Sequence, residues 1–128
     1  MKKSFLLSFL LVFVLTASVS NTWADNSKIA VVSEGNTADS VVCAVAARGP
    51  YFLIFDGKGK FIEALDNPYQ NAGGGASGLV VDYLSDKGIT TIIAGNFGNK
   101  MIATMTARRI HYFKFQGSAV NAVKKVIQ

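Results

Sequence analysis

One cysteine, one histidine and two prolines stand in 128 residues, and only 16% of positions are charged. A single cysteine makes no internal disulfide, so this is not a disulfide-stapled secreted mini-protein. It equally excludes the four-cysteine sites of zinc ribbons and ferredoxins. The single histidine excludes an HExxH metallo-hydrolase. With His111 also comes the only possible base of a Ser-His-Asp set, and it falls near the start of a predicted strand, far from the other candidate residues. The acids, too, are few. Of Asp25, Glu34, Asp39, Asp56, Glu63, Asp66, Asp82 and Asp86, only Glu34 and Asp39 fall in a loop where a ligand would bind. Two-metal phosphoryl transfer needs more clustered carboxylates than that. The chain reads as a non-enzyme.

What is plentiful is apolar surface: 50% of positions are hydrophobic, which excludes an intrinsically disordered chain. The length gives room for one domain. Residues 1–24 stand apart from it. Lys2 and Lys3 precede an uncharged apolar run from Phe5 to Ala17, followed by a polar stretch ending Thr22-Trp23-Ala24. A membrane-spanning helix needs roughly 20 apolar residues, so this run is short for one. The pattern reads as a secretory signal peptide, with no cysteine after it to carry a lipid. The expectation is a periplasmic or secreted protein without a stable membrane anchor, one domain over residues 25–128. Without the two leading lysines the formal charge falls from +5 to +3. The remaining cations look scattered along the chain, with no basic stripe carrying interleaved aromatics, so nucleic acid is a poor partner.

The elements follow from pattern. Residues 28–33 (KIAVVS, β1) form a short apolar strand. Residues 50–56 (β2) and 60–66 (β3) flank Asp56-Gly57-Lys58-Gly59, a hairpin signal. Ala76, Leu79, Val80, Tyr83 and Leu84 repeat on one helical face (α1), which Gly88 ends. Residues 90–94 (TTIIA, β4) are too apolar for an exposed strand. Ile102, Met105, Thr106 and Arg109 mark a second helix (α2) beginning after Gly98, residues 110–115 a last strand (β5). Ser118 caps a final helix (α3) expected to turn Val120, Val123 and Ile127 inward. A hairpin followed by strand–helix alternation, with right-handed crossovers, gives a three-layer α/β fold. Its five-stranded mixed sheet has order 3-2-1-4-5 with helices on both faces, ribonuclease-H-like in motif.

Ligands in such sheets bind outside the carboxyl ends of the parallel strands. That rim comprises residues 33–49, the 67–78 loop and residues 95–100. Gly73, Gly74 and Gly75 open α1, and Gly95, Asn96, Gly98 and Lys100 lead into α2. Helix N-termini with glycine-built approaches make anion sites from unpaired N–H groups, and Arg48 and Lys100 would add charge. The same glycines could simply make tight turns. Residues 73–78 also match GxGxxG, but they follow a hairpin strand and Asn67-Pro68 rather than a parallel strand, so the dinucleotide reading lacks its context.

KIAVVSEG at 28–35, D-S-x-V at 39–42, R-x-PYFLI at 48–54, Asn67-Pro68, GGGA at 73–76 and IIAGNFGNKM at 92–101 together resemble the dinitrogenase iron–molybdenum cofactor biosynthesis family, the NifX and NifB C-terminal type of domain. The resemblance implies a non-enzymatic binding or carrier domain for an anionic metal–sulfur cluster of iron–molybdenum type. It also implies a donor or acceptor protein for that cluster. Two family histidines are missing: Val45-Ala46-Ala47 stands where the family carries His-Phe-Gly, and Ala72-Gly73 where it carries another histidine. Cys43 is the one soft ligand left in the loop, either a metal thiolate or a buried small side chain. The alternative function is an exported partner-binding or structural protein that kept the fold and lost the ligand.

Overall fold

The computed structural model describes residues 26–128, so the leader expected over residues 1–24 lies outside the described residues. The strands are β1 (Lys28–Ser33), β2 (Tyr51–Asp56), β3 (Phe61–Asp66), β4 (Thr91–Ala94) and β5 (His111–Lys114). The helices are α1 (Ala76–Asp86), α2 (Asn99–Ala107) and α3 (Ala119–Ile127). The sheet order is β3-β2-β1-β4-β5, as the crossover argument requires. Strand β1 pairs antiparallel with β2 and parallel with β4, and β4 pairs parallel with β5.

Period-two alternation along the central strands builds two cores. Ala30, Val32, Phe52, Ile54, Ile92 and Ala94 face one side, where they meet Ala76, Val80, Val81 and Leu84 of α1 and Met101 and Met105 of α2. Ile29, Val31, Leu53, Phe55 and Ile93 face the other, where they meet Ala119, Ala122 and Val123 of α3. Covered on both faces, β4 is buried at all four residues, which is why its sequence is apolar after Thr91. Edge strand β5 is exposed at all four and carries His111 and Lys114.

The helix faces differ from the expected ones in detail. Leu79 is exposed and Val81 buried, because α1 packs on α2 as well as on the sheet and its buried arc widens toward Val81. In α2 the buried residues are Met101 and Met105, whereas Thr106 and Arg109 are exposed. The helix stops at Ala107, and Arg109 turns into the left-handed region at φ 58°, so it is not on the helical face at all. In α3, Ala119, Ala122 and Val123 are the buried stripe and Ile127 is exposed. Small alanines at the contact let the helix approach the sheet closely.

Candidate functional site

Each parallel strand ends at the rim. Beyond β1, the chain folds back through residues 34–47 and is tied to its neighbours by backbone bonds. Cys43 N–H donates to Val32 O at 2.8 Å, Gly95 N–H to Cys43 O at 2.8 Å, and Ala46 N–H to Asn96 O at 3.2 Å. Val45 and Asn96 form a parallel bridge. The 43–46 segment and the 94–96 segment are therefore one seam. Gly95 is required there: a Cβ would sit 2.8 Å from Ala44 Cα and 3.2 Å from Cys43 O. Cys43, Gly95 and Asn96 are thus brought together through their backbones.

A second tie links residues 47–50 to the loop after β3. Asn67, buried, donates through Nδ2 to Ala47 O at 3.1 Å and to Gly49 O at 2.9 Å, and its Oδ1 accepts from Tyr69 N–H at 2.9 Å. Arg48 extends over the same loop, donating from Nη1 to Gln70 O at 3.1 Å and to Ala72 O. Sequence reading assigned Arg48 to an incoming anion, and it used Asn67 only as part of a motif. Arg48 instead spends donors on carbonyls that lead directly into Gly73, which fixes the approach to α1. A buried asparagine before proline is the signal that could have marked Asn67 as a structural tie.

Beyond Ala72 the loop opens. Gly73, Gly74 and Gly75 are exposed, and a Cβ on any of them would meet nothing within 4 Å. Gly75 is the N-cap of α1 at φ 70°, a left-handed conformation suited to glycine, and α1 receives no side-chain cap. Gly98 is the N-cap of α2, which also receives none. By contrast α3, on the other face, is capped by Ser118, whose side chain accepts from Asn121 N–H. The two helices on the rim's glycine side therefore present their first N–H groups and the positive ends of their dipoles without a side chain over them. Helices α1 and α2 pack side by side, so these ends open on one face of the sheet. Lys100 is exposed in the first turn of α2.

Cys43 has a different setting. It is only 6% exposed, it packs beneath Gly49, and Sγ donates to Val45 O at 3.5 Å. Burial pushes its thiol pKa up, and the nearby Glu34 carboxylate adds to the rise. A thiol held protonated is a poor metal ligand. Among the described residues, no three His, Cys, Asp or Glu side chains gather as a metal-binding set. His111 lies at the start of β5, away from the rim. The described residues thus leave the rim with exposed N–H groups and Lys100, and with no cluster of side-chain metal ligands.

Residues 27–128 match the family described as dinitrogenase iron-molybdenum cofactor. The chain belongs to that family. No curated protein matches the sequence. Among solved structures, the apo form of the orange protein from Desulfovibrio gigas is 24% identical and aligns with a TM-score of 0.74, over 79% of this chain and 87% of that one. A candidate NifB protein from Thermotoga is 29% identical with a TM-score of 0.65, over 78% and 85% of the two chains. A candidate dinitrogenase from Methanocaldococcus jannaschii is 14% identical with a TM-score of 0.53, over 78% and 86%. The orange protein and the Methanocaldococcus protein show the fold alone.

Proposed function

We propose that this family member is a non-enzymatic carrier of an anionic metal–sulfur cluster of iron–molybdenum type, which it passes between a donor and an acceptor protein. The cluster is cargo, held without covalent ligation. The observation that carries the reading is the contrast in capping: α1 and α2 open behind exposed glycines with no side-chain cap, while α3 is closed by Ser118. Uncapped N–H groups beside Lys100 favour an anion through aligned dipoles and charge. Arg48 serves by holding the 70–72 carbonyls, which sets where Gly73–Gly75 lie. We further infer that the carrier works outside the cytoplasm, on the Lys2/Lys3, apolar, Thr22-Trp23-Ala24 pattern.

Anaerobic titration with tetrathiomolybdate, a simple anionic molybdenum–sulfur species, tests the reading by visible absorption. Binding should weaken as salt is added, as attraction between exposed charges does. Gly74→Asp should lower affinity about tenfold or more, by placing a carboxylate where the anion sits. Cys43→Ser should leave retention unchanged; its complete loss would instead mean thiolate ligation. If the wild type binds no metal–sulfur species, the carrier reading fails and an exported partner-binding protein takes its place.

A further inference from the structure

Cations that look scattered in sequence are gathered by the fold at the end of the sheet opposite the rim. Helices α1, α2 and α3 all start at the rim, so Lys87, Arg108, Arg109, Lys124 and Lys125 fall at the far end. Strand β1 begins there with Lys28, whose carbonyl accepts from Thr90 N–H at 2.9 Å, and Thr90 O in turn accepts from His111 N–H. The β2–β3 turn brings Lys58 and Lys60 to the same end. A Cβ on Gly59 of that turn would meet Ile127 Cδ1 at 2.8 Å, which places the turn against the end of α3. Eight of the eleven Lys and Arg residues among the described residues thus share one end with three acids, Asp56, Asp82 and Asp86, while Glu63 stands within β3 between the two ends. Asp82 is already paired with Arg108. The rim holds Arg48, Lys100 and Lys114 against Glu34, Asp39 and Asp66, a balanced set.

Apolar side chains are set among these cations. Phe61 and Ile127 are exposed beside the lysine-bearing turn and helix end. A cavity of about 380 Å³ lies at the edge of the same end, lined by Thr106, Arg109, Ile110, His111, Tyr112 and Phe113. We propose that this end docks on an anionic lipid bilayer, with lysines over the headgroups and Phe61 and Ile127 reaching the interface. Six of the eight cations are lysines. Protein–protein interfaces are enriched in arginine and depleted in lysine, whereas polybasic attraction to anionic leaflets needs only charge near the surface. Docked this way, the rim faces outward and stays open to its cargo.

Co-sedimentation of the full chain with two kinds of vesicle tests the proposal: phosphatidylcholine alone, and phosphatidylcholine mixed with phosphatidylglycerol. Lys2, Lys3 and the apolar run are common to the wild type and every variant, so the readout is the change in preference between the two vesicles on substitution. The wild type should prefer the anionic vesicles, and the preference should fall with salt. Replacing Lys58, Lys60, Lys124 and Lys125 together by Gln should reduce that preference at least about a hundredfold, from about fivefold per lysine. Lys114→Gln, a rim cation, should change it less than about twofold by the same distance argument. An unchanged circular dichroism spectrum confirms that the quadruple variant is folded. Equal binding to both vesicles by the wild type, or a loss from Lys114→Gln as large as that from the quadruple variant, overturns the proposal. Binding of an acidic protein by this end without lipid preference overturns it in favour of a protein partner.

Discussion

The two ends of the sheet are built on opposite terms. At the rim, order comes from backbone: the 43–46 seam, the Asn67 tie and the Arg48 contacts all run through carbonyls and N–H groups. The loop that opens α1 carries no side chain at Gly73–Gly75, and charge at the rim is balanced. At the far end, the backbone does little beyond turning, and the chain ends in long solvated cations. The difference teaches where each end is sensitive. A rim that works through peptide groups is damaged by volume and by lost hydrogen bonds, whereas a charged end is damaged by screening and pH.

The largest test of this contrast is Gly95→Ala set against Gly74→Ala. At Gly95 the new methyl would lie 2.8 Å from Ala44 Cα, so backbone must move and the seam to Cys43 opens. A loss of about 2–3 kcal/mol is expected, in the range of overpacked interiors. At Gly74 nothing lies within 4 Å, and the change should stay within about 0.5 kcal/mol. Urea unfolding measures both. Comparable losses at the two glycines would mean that the rim is not held through the seam.

Asn67→Ala comes next. It removes two donors from the Ala47 and Gly49 carbonyls and an acceptor from Tyr69 N–H, all around a buried side chain. The expected cost is about 1–3 kcal/mol, because buried partners are left unpaired. Hydrogen exchange should quicken at residues 47–50 and 67–72 before it quickens in β4. Uniform quickening across the sheet would count against a local tie.

How far these terms were legible depends on what kind of residue carried them. The strand order follows from the Asp56–Gly59 turn, the lack of charge in TTIIA and crossover handedness, none of which needs long-range information. The helix faces were read less well. Leu79 and Val81 are equally apolar, and only the packing of α1 against α2 decides which is buried. The rim glycines were legible as a group, but their division of labour was not: Gly95 is needed for close approach and Gly73–Gly75 for openness, a distinction that exists only in three dimensions. Arg48 and Cys43 show the same limit. Their chemistry suggests ligands, yet one is engaged with Gln70 and Ala72 carbonyls and the other is buried beneath Gly49. Segregation of charge was invisible for a plain reason. Cations at helix ends, a strand start and a hairpin turn are far apart in sequence and meet only because every helix runs the same way.

The smallest expected effect lies at the charged end and separates turn chemistry from charge. Asp56 Oδ1 accepts from Lys58 N–H and Lys60 N–H, each at 2.9 Å, closing the β2–β3 turn. The Lys60 backbone bond first, helped by that of Lys58 and by the two ammonium groups, holds its carboxyl below the usual carboxylate range, against the opposing effect of desolvation. A carboxylate whose pKa is lower folded than unfolded stabilises the fold fully above the unfolded value, and that contribution is lost as pH falls through the folded one. Asp56→Ala should therefore lower the Tm slightly at neutral pH, and the gap from wild type should close as the pH is taken below the carboxylate range. Added salt should narrow the gap only in part, because screening weakens the lysine attraction and leaves the two backbone bonds in place. A gap that persists unchanged into acid would show that the side chain acts through turn geometry alone, and that the cations around it do not feel its charge.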